Sequence, residues 1–162
     1  MAVSQDSAKR AAAKLVRGQT YDVDVSNFAD LDVIDQIGVI KQGVGVGLLE
    51  NLARQMEIPK DRLTAYLGIP RSTLGRKAKA QSLLSSEQSE RVLGVVRLVD
   101  QVKDMVEQSG VRDFNAAQWI SQWLEEPNPA LDGRKPSEFM DTNLGQQLVS
   151  NLLARMQSGA YS

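Results

Sequence analysis

The chain has 162 residues, enough for one ordinary domain or two small helical modules around a shared core. It contains no cysteine and no histidine, which excludes disulfides, thiol nucleophiles and Cys/His metal sites and removes the commonest general base at neutral pH. With a net charge of −1, any affinity for nucleic acid must come from local charge, and 42% hydrophobic with 5% aromatic residues describes a core of Leu, Val, Ile and Ala.

No apolar run reaches the roughly 18 residues needed to cross a bilayer, and no signal pattern opens the chain, so a soluble cytoplasmic protein without membrane contact is expected. Residues 1–20 read as a mobile arm with Lys9, Arg10, Lys14 and Arg17, either a solvated tail or a DNA-contacting segment. Tyr21, Val23 and Val25 alternate with Asp22 and Asp24, as in a short strand or an extended lead-in. Leu31, Ile34 and Ile37, with Val33 and Ile40 nearby, predict a helix over 31–40. The glycines Gly43, Gly45 and Gly47 lack the Gly-Lys-Ser/Thr ending and the preceding strand of a phosphate loop, so they predict a loop or helix start.

Leu48, Leu49, Leu52, Ala53 and Met56 then form one apolar stripe. Pro59 and Asp61 suit the start of a following helix whose inner face is Leu63, Tyr66 and Leu67 and whose stop is Gly68. Ile69 plugs the turn, and from Pro70 or Arg71 another helix carries Ser72, Thr73, Leu74, Arg76, Lys77 and Lys79. Helix, short glycine turn and basic helix is the helix-turn-helix pattern. Between residues 58 and 81, six cations (Lys60, Arg62, Arg71, Arg76, Lys77, Lys79) face one acid, Asp61. Such a concentrated positive face is what phosphate neutralisation needs, although a solvated helix with a basic exit has the same composition.

Ser85 and Gln88 predict a capping box. Val92, Val95, Val96, Val99, Val102 and Val106 then recur at helical spacing over about six turns, roughly 30 Å. Valines are poor intrinsic helix formers, so packing must hold this helix as a core strut. Asn115 caps another helix with Ala116, Trp119, Ile120, Trp123 and Leu124 on its buried side. Pro127 and Pro129 force a turn that displays Asn128, Ala130 and Leu131 between two helices. Asp141 or Thr142 caps a last helix with the stripe Leu144, Leu148, Val149, Leu152, Leu153 and Met156, closed by Gly159.

Two segments, LGIPRSTLGRK with LLSSEQSERVLGVVRLV and then residues 116–162, resemble the Xre/MbcA/ParS-type antitoxins, whose usual partners are RES-domain toxins. The resemblance runs from about residue 34 to the last residue. Its joint motif is WL-x-x-PNPAL-x-G, then P, then T-x-x-G, then R-x-x-x-G. The signature falls on Trp123, Leu124, Pro127, Asn128, Pro129, Ala130, Leu131, Gly133, Pro136, Thr142, Gly145, Arg155 and Gly159. Phe139 and Met140 stand where the family commonly has leucines, Asn143 occupies an often acidic position, and Ser158 precedes the final glycine.

The resemblance implies an all-α fold, a helix-turn-helix (Xre-like) domain followed by a small helical toxin-binding domain that share a long central helix. The divisions expected are an arm at 1–30, the DNA-binding region at 31–84 and the toxin-binding domain at 85–162. It implies a type II antitoxin that neutralises an NAD-consuming toxin, or in some relatives one that transfers ADP-ribose, and represses its own operon. It implies no enzyme activity, cofactor or metal. The expected DNA-binding residues are Arg71, Ser72, Thr73, Arg76, Lys77 and Lys79, with Arg71 and Arg76 for base readout and Lys77 and Lys79 for phosphate. The expected toxin-binding residues are Asn128, Ala130, Leu131, Arg134, Leu152, Arg155, Met156, Gln157, Gly159, Tyr161 and Ser162. The Tyr161 ring and Ser162 carboxylate would plug a diphosphate-binding cleft while Arg155 and Gln157 sit at its rim.

A homodimer on a palindromic operator, a higher-order complex with toxin, and a bacterial cytoplasmic location, on the nucleoid when DNA-bound, complete the expectation. Two rivals are a stand-alone regulator whose C-terminal half only dimerises, and an enzyme using Glu125, Glu126, Glu138 and Asp141.

Overall fold

A computed structural model describes residues 26–159. Residues 1–20, the strand or lead-in at 21–25, and Tyr161 and Ser162 lie outside the described residues. Within them the secondary structure is helical: α1 (Ser26–Ala29), α2 (Val33–Gln42), α3 (Val46–Gln55), α4 (Lys60–Tyr66), α5 (Arg71–Lys79), α6 (Ser86–Gln108), α7 (Ala116–Trp123) and α8 (Asn143–Gln157), with 3-10 turns at Pro129–Leu131 and Pro136–Phe139.

The long helix α6 organises the rest. Its capping box forms: the Ser85 hydroxyl accepts from the Gln88 N–H at 3.1 Å, and the Gln88 side chain accepts from the Ser85 N–H at 3.1 Å. Val92, Val95, Val96, Val99 and Val102 are all buried, facing α1, α2, α7 and α8, which pack around the strut. Burial of each valine contributes roughly 1.5 to 3 kcal/mol, which outweighs its weak helix propensity. Leu49, Leu52, Leu63 and Leu67 of the helix-turn-helix half and Leu124, Val149, Leu152 and Leu153 of the C-terminal half belong to one continuous core.

The glycine-rich stretch is a clamp, in keeping with a loop and helix start. Gly43 closes α2, its N–H donating to the Val39 carbonyl at 3.0 Å, and Gly45 precedes the first residue of α3. Between them, fully buried Val44 donates its N–H to the Ser89 hydroxyl at 2.9 Å and accepts from the Leu84 N–H at 2.8 Å. These bonds tie the start of α3 to the start of α6.

Close approach of α8 to α6 depends on Gly94. A Cβ there would overlap the Gln146 amide, which instead donates to the carbonyls of Arg91 at 2.9 Å and Met140 at 3.0 Å. At the foot of α8, a Cβ on Gly145 would collide with the Phe139 carbonyl, which explains the glycine three residues after the Thr142 cap.

Two apolar stripes are divided between core and solvent. Residues 33–42 are helical, but Val33, Ile34 and Ile37 are 70%, 81% and 45% exposed; of that stripe Leu31 is buried and Ile40 half-buried, and Val39 beside it is buried, because α6 covers a single side of α2. In α8, Val149, Leu152 and Leu153 face the core while Leu144, Leu148 and Met156 face outward.

Candidate DNA-reading and partner-binding surfaces

The first surface is built on α4 and α5. Helix α4 ends at Tyr66 with Leu67 as its cap, and Gly68 turns the chain with φ +63°. The Ile69 N–H donates to the Thr64 carbonyl at 3.0 Å, and its side chain is buried under the turn. Leu74 is the buried anchor of α5, which leaves the rest of that helix facing outward. An ion pair between Arg71 and Asp61 braces the start of α5 against α4.

Ser72, Gly75, Arg76 and Lys79 are spaced i, i+3, i+4, i+7 and share one exposed face of α5. Thr73 and Lys77 are half-buried and lie on its flank, whereas Arg71 is exposed but engaged by Asp61. Lys60 pairs with Glu50 at 3.0 Å. Among the described residues Arg76, Lys77 and Lys79 make no ion pair, so the positive potential concentrates on the second half of α5. Sequence reasoning missed Gly75, which lies on this exposed face, and the bracing role of Asp61.

The second surface is built on the proline turn and α8. The sequence reading, that the turn displays Asn128, Ala130 and Leu131, needs correction: Asn128 is 8% and Leu131 5% exposed, and Ala130 alone of the three faces solvent. Asn128 is the turn's organiser. Its side-chain oxygen accepts from the Ala130 N–H at 2.9 Å, and its own N–H donates to the Arg134 carbonyl at 3.0 Å. Its carbonyl accepts from Leu131 and Gly133 at 2.9 and 3.0 Å. Asp132 and Gly133 follow in the left-handed region, and Leu131 is turned into the core. The exposed Arg134 guanidinium lies 4.6 Å from the Phe139 ring centroid, a cation–π contact, and Met140 is fully buried, so both departures from the family's leucines fill apolar positions.

Of the remaining expected contacts, Leu152 is 1% exposed and supports α8 from within. Arg155, Met156, Gln157 and Gly159 are exposed at the end of α8, and the Gln157 amide donates to the Gln108 side chain at 2.8 Å. The structure thus brings together an outward ridge of Leu144, Leu148, Arg155 and Met156 along α8.

A polar junction links the two surfaces, and it escapes sequence reasoning because Tyr66 and Glu125 are 59 residues apart. The Tyr66 hydroxyl of α4 donates to Glu125 at 2.5 Å, and the Lys135 ammonium donates to the other Glu125 oxygen at 2.8 Å. These two bonds, Lys135 first, hold the Glu125 carboxyl below its ordinary range, while burial and the same carboxylate push the Tyr66 phenol upward. Glu138 accepts from the Lys135 N–H at 3.2 Å. Two of the carboxylates of the enzyme rival therefore serve the scaffold, and among the described residues no group of three or more His, Cys, Asp or Glu can hold a metal. No described helix is long and apolar enough to cross a membrane.

Comparison with known proteins agrees with this two-surface architecture. The antitoxin Xre-like helix-turn-helix domain family matches residues 35–97, and the antitoxin Xre/MbcA/ParS C-terminal toxin-binding domain family matches residues 112–159. A "Prs ADP-ribosylating antitoxin" of Sphingobium sp. (strain YBL2) is 43% identical over 130 residues, 80% of this chain and 82% of that protein. An "Antitoxin Xre" of Yersinia enterocolitica is 28% identical over 76% of this chain and 78% of its own length. An "Antitoxin Xre" of Photorhabdus laumondii is 23% identical over 76% and 79%. With a helix-turn-helix on one side and a toxin-binding domain on the other, the chain belongs to the Xre/MbcA/ParS family of antitoxins of toxin–antitoxin systems.

Proposed function

We propose that the chain neutralises a RES-type, NAD-using toxin by direct contact through the outward side of α8 and the residues that follow it, and represses its own operon through α5. The observation that carries this reading is the two-sidedness of α8. One side is locked into the core by Val149, Leu152 and Leu153, and the other exposes Leu144, Leu148 and Met156 with Arg155 among them. Rigid apolar ridges with a cationic anchor suit a partner's cleft. The name of the 43%-identical relative supports ADP-ribosyl chemistry in the partner's class. An NAD cleft must hold a diphosphate, so a tail led by Tyr161 and Ser162 is suited to fill it while Arg155 and Gln157 fix the helix at the rim.

On DNA, Arg76 and Ser72 are the base-edge candidates, with Thr73 beside them at the start of α5. Lys77 and Lys79 anchor phosphate, and Arg71 positions α5 through Asp61. One recognition helix covers a small footprint, which favours a homodimer on a two-fold operator, and the exposed Val33, Ile34 and Ile37 of α2 offer apolar surface for such pairing. No catalytic role is assigned to the chain.

Deleting residues 159–162 is expected to abolish protection against the co-expressed neighbouring toxin and to leave operator retention unchanged. The substitution pair Arg76→Glu and Lys77→Glu is expected to do the reverse. Growth and NAD level with the toxin, and gel retention at moderate salt, read the two outcomes. Full protection by the truncated protein rejects the plug, and full retention by the double variant rejects the assigned DNA face.

A further inference from the structure

Beside the lower half of α6 lies an open recess of about 350 Å³, with Asp100 on its wall next to Asp104, Gln108 and, from the end of α8, Gln157. Asp100 is 7% exposed, and its Oδ2 has no hydrogen-bond partner among the described residues. Its other oxygen is 3.6 Å from the Lys103 ammonium, too long for a hydrogen bond and on the same helix. A buried carboxylate with one oxygen unsatisfied burdens the fold unless a donor supplies the missing bond. Among the described residues no group of acids can hold a metal ion, so the donor that suits this site is an ammonium or a guanidinium.

We propose that the recess receives a lysine or arginine side chain of the toxin, which closes on the Asp100 carboxylate when the toxin lies on α8; the inference rests on the reading of α8 as the toxin-binding surface. Position favours that partner. The recess adjoins a smaller cleft of about 140 Å³ between α6 and α8, and Arg97 and Gln101 line both. The opposite wall of the cleft is Asn143, Gln147 and Ser150 of α8. Asn143 and Gln147 are exposed, each next in sequence to a leucine of the outward ridge, Leu144 or Leu148. A partner seated on the ridge therefore borders the groove that leads to Asp100.

Charge favours it as well. Among the described residues three acids, Asp30, Asp100 and Asp104, meet two cations, Lys103 and Arg97, and Arg97 makes no ion pair with Asp100. The excess of acid attracts a basic side chain and repels the phosphates of DNA. Burial raises the Asp100 carboxyl to about 6, with Lys103 opposing the rise and Asp104 and Asp30 adding to it. A cation binds the ionised form, so the contact weakens as pH falls through that value.

The test is calorimetric titration of the full chain with the purified neighbouring toxin, near pH 7.5 and near pH 5.5. It compares the native protein, Asp100→Asn, and the ridge variant Leu144→Asp with Leu148→Asp. Asparagine keeps the shape of the side chain and removes the uncompensated charge, so the thermal midpoint of Asp100→Asn is expected to equal or exceed the native one. A midpoint well below the native one overturns the proposal, because the carboxylate is then already satisfied within the chain. The affinity of Asp100→Asn for toxin is expected to fall about tenfold or more near pH 7.5, and by several-fold less near pH 5.5, where the native carboxyl is mostly protonated. Native affinity in Asp100→Asn, with binding lost in the ridge variant, overturns this inference and leaves the reading of α8 standing. No binding by the native chain overturns both. An equal loss at the two pH values overturns the cation contact. So does an effect of Asp100→Asn on self-association alone, which assigns the recess to a second copy of the chain.

Discussion

Asn128 and Gly94 illustrate how much the two surfaces owe to single buried residues that shape the backbone around them. Asn128 is fixed by four local hydrogen bonds, three through its backbone and one through its side chain, and so shapes the proline turn that carries Ala130 and Arg134. Gly94 admits the Gln146 amide, which holds α8 against α6. Gly94→Ala is expected to destabilise the protein by about 1 to 3 kcal/mol, through overpacking and the loss of the two Gln146 bonds. Because the clash is with that one side chain, the same substitution made in a Gln146→Ala background is expected to cost far less. Urea unfolding of the four proteins reads the coupling, and equal costs in both backgrounds reject the assignment. Sequence reasoning identified Asn128 and its neighbours by their pattern but took their exposure from the turn alone. A two-proline turn fixes where the chain bends, while the inward rotation of Leu131 follows from Asp132 and Gly133 being left-handed, which the pattern does not encode.

At the scale of elements, periodicity located the helices well and divided their faces less well. Caps at Ser85, Asn115 and Thr142 form as their sequences suggest, since each bond is local and closes within three residues. The side of a helix that is buried depends on neighbours distant in sequence. That is why periodicity alone assigns no side to Ile34 of α2 and Leu144 of α8, which are 81% and 83% exposed. For α8 the difference has a measurable consequence. Leu144→Asp together with Leu148→Asp is expected to weaken binding of the proposed toxin at least tenfold, while the unfolding free energy stays within roughly 0.5 kcal/mol for each exposed site. Leu152→Asp, one turn further along on the buried side, is expected to prevent folding by placing a charge in the core. Calorimetric titration with toxin and thermal unfolding separate the two cases. An unchanged affinity in the outward double variant removes the ridge from the interface.

Across the whole molecule, the two halves share one core and one polar junction at Tyr66, Glu125 and Lys135. Glu125 is the group whose ionisation the junction favours, so its folded value is depressed and its contribution to stability is fully present above the ordinary glutamate range. That contribution is lost as pH falls through the folded value. With about a third of its side chain exposed, solvent screening keeps the effect below about 1 kcal/mol. The native protein is therefore expected to exceed Glu125→Gln slightly in stability at pH 7 and to lose that advantage as pH falls below the ordinary glutamate range, as read by denaturant midpoints; an advantage that persists in acid rejects the ion-pair account. The valine strut ties the turnover of the two faces together. Since α6 packs against α1, α2, α7 and α8 and its valines lie in the one core that both halves share, a protease that nicks it is expected to leave no half-active remnant. Under the proposed function, the gene is released and the enzyme set loose in a single event, so the lifetime of this one helix acts as the clock for both.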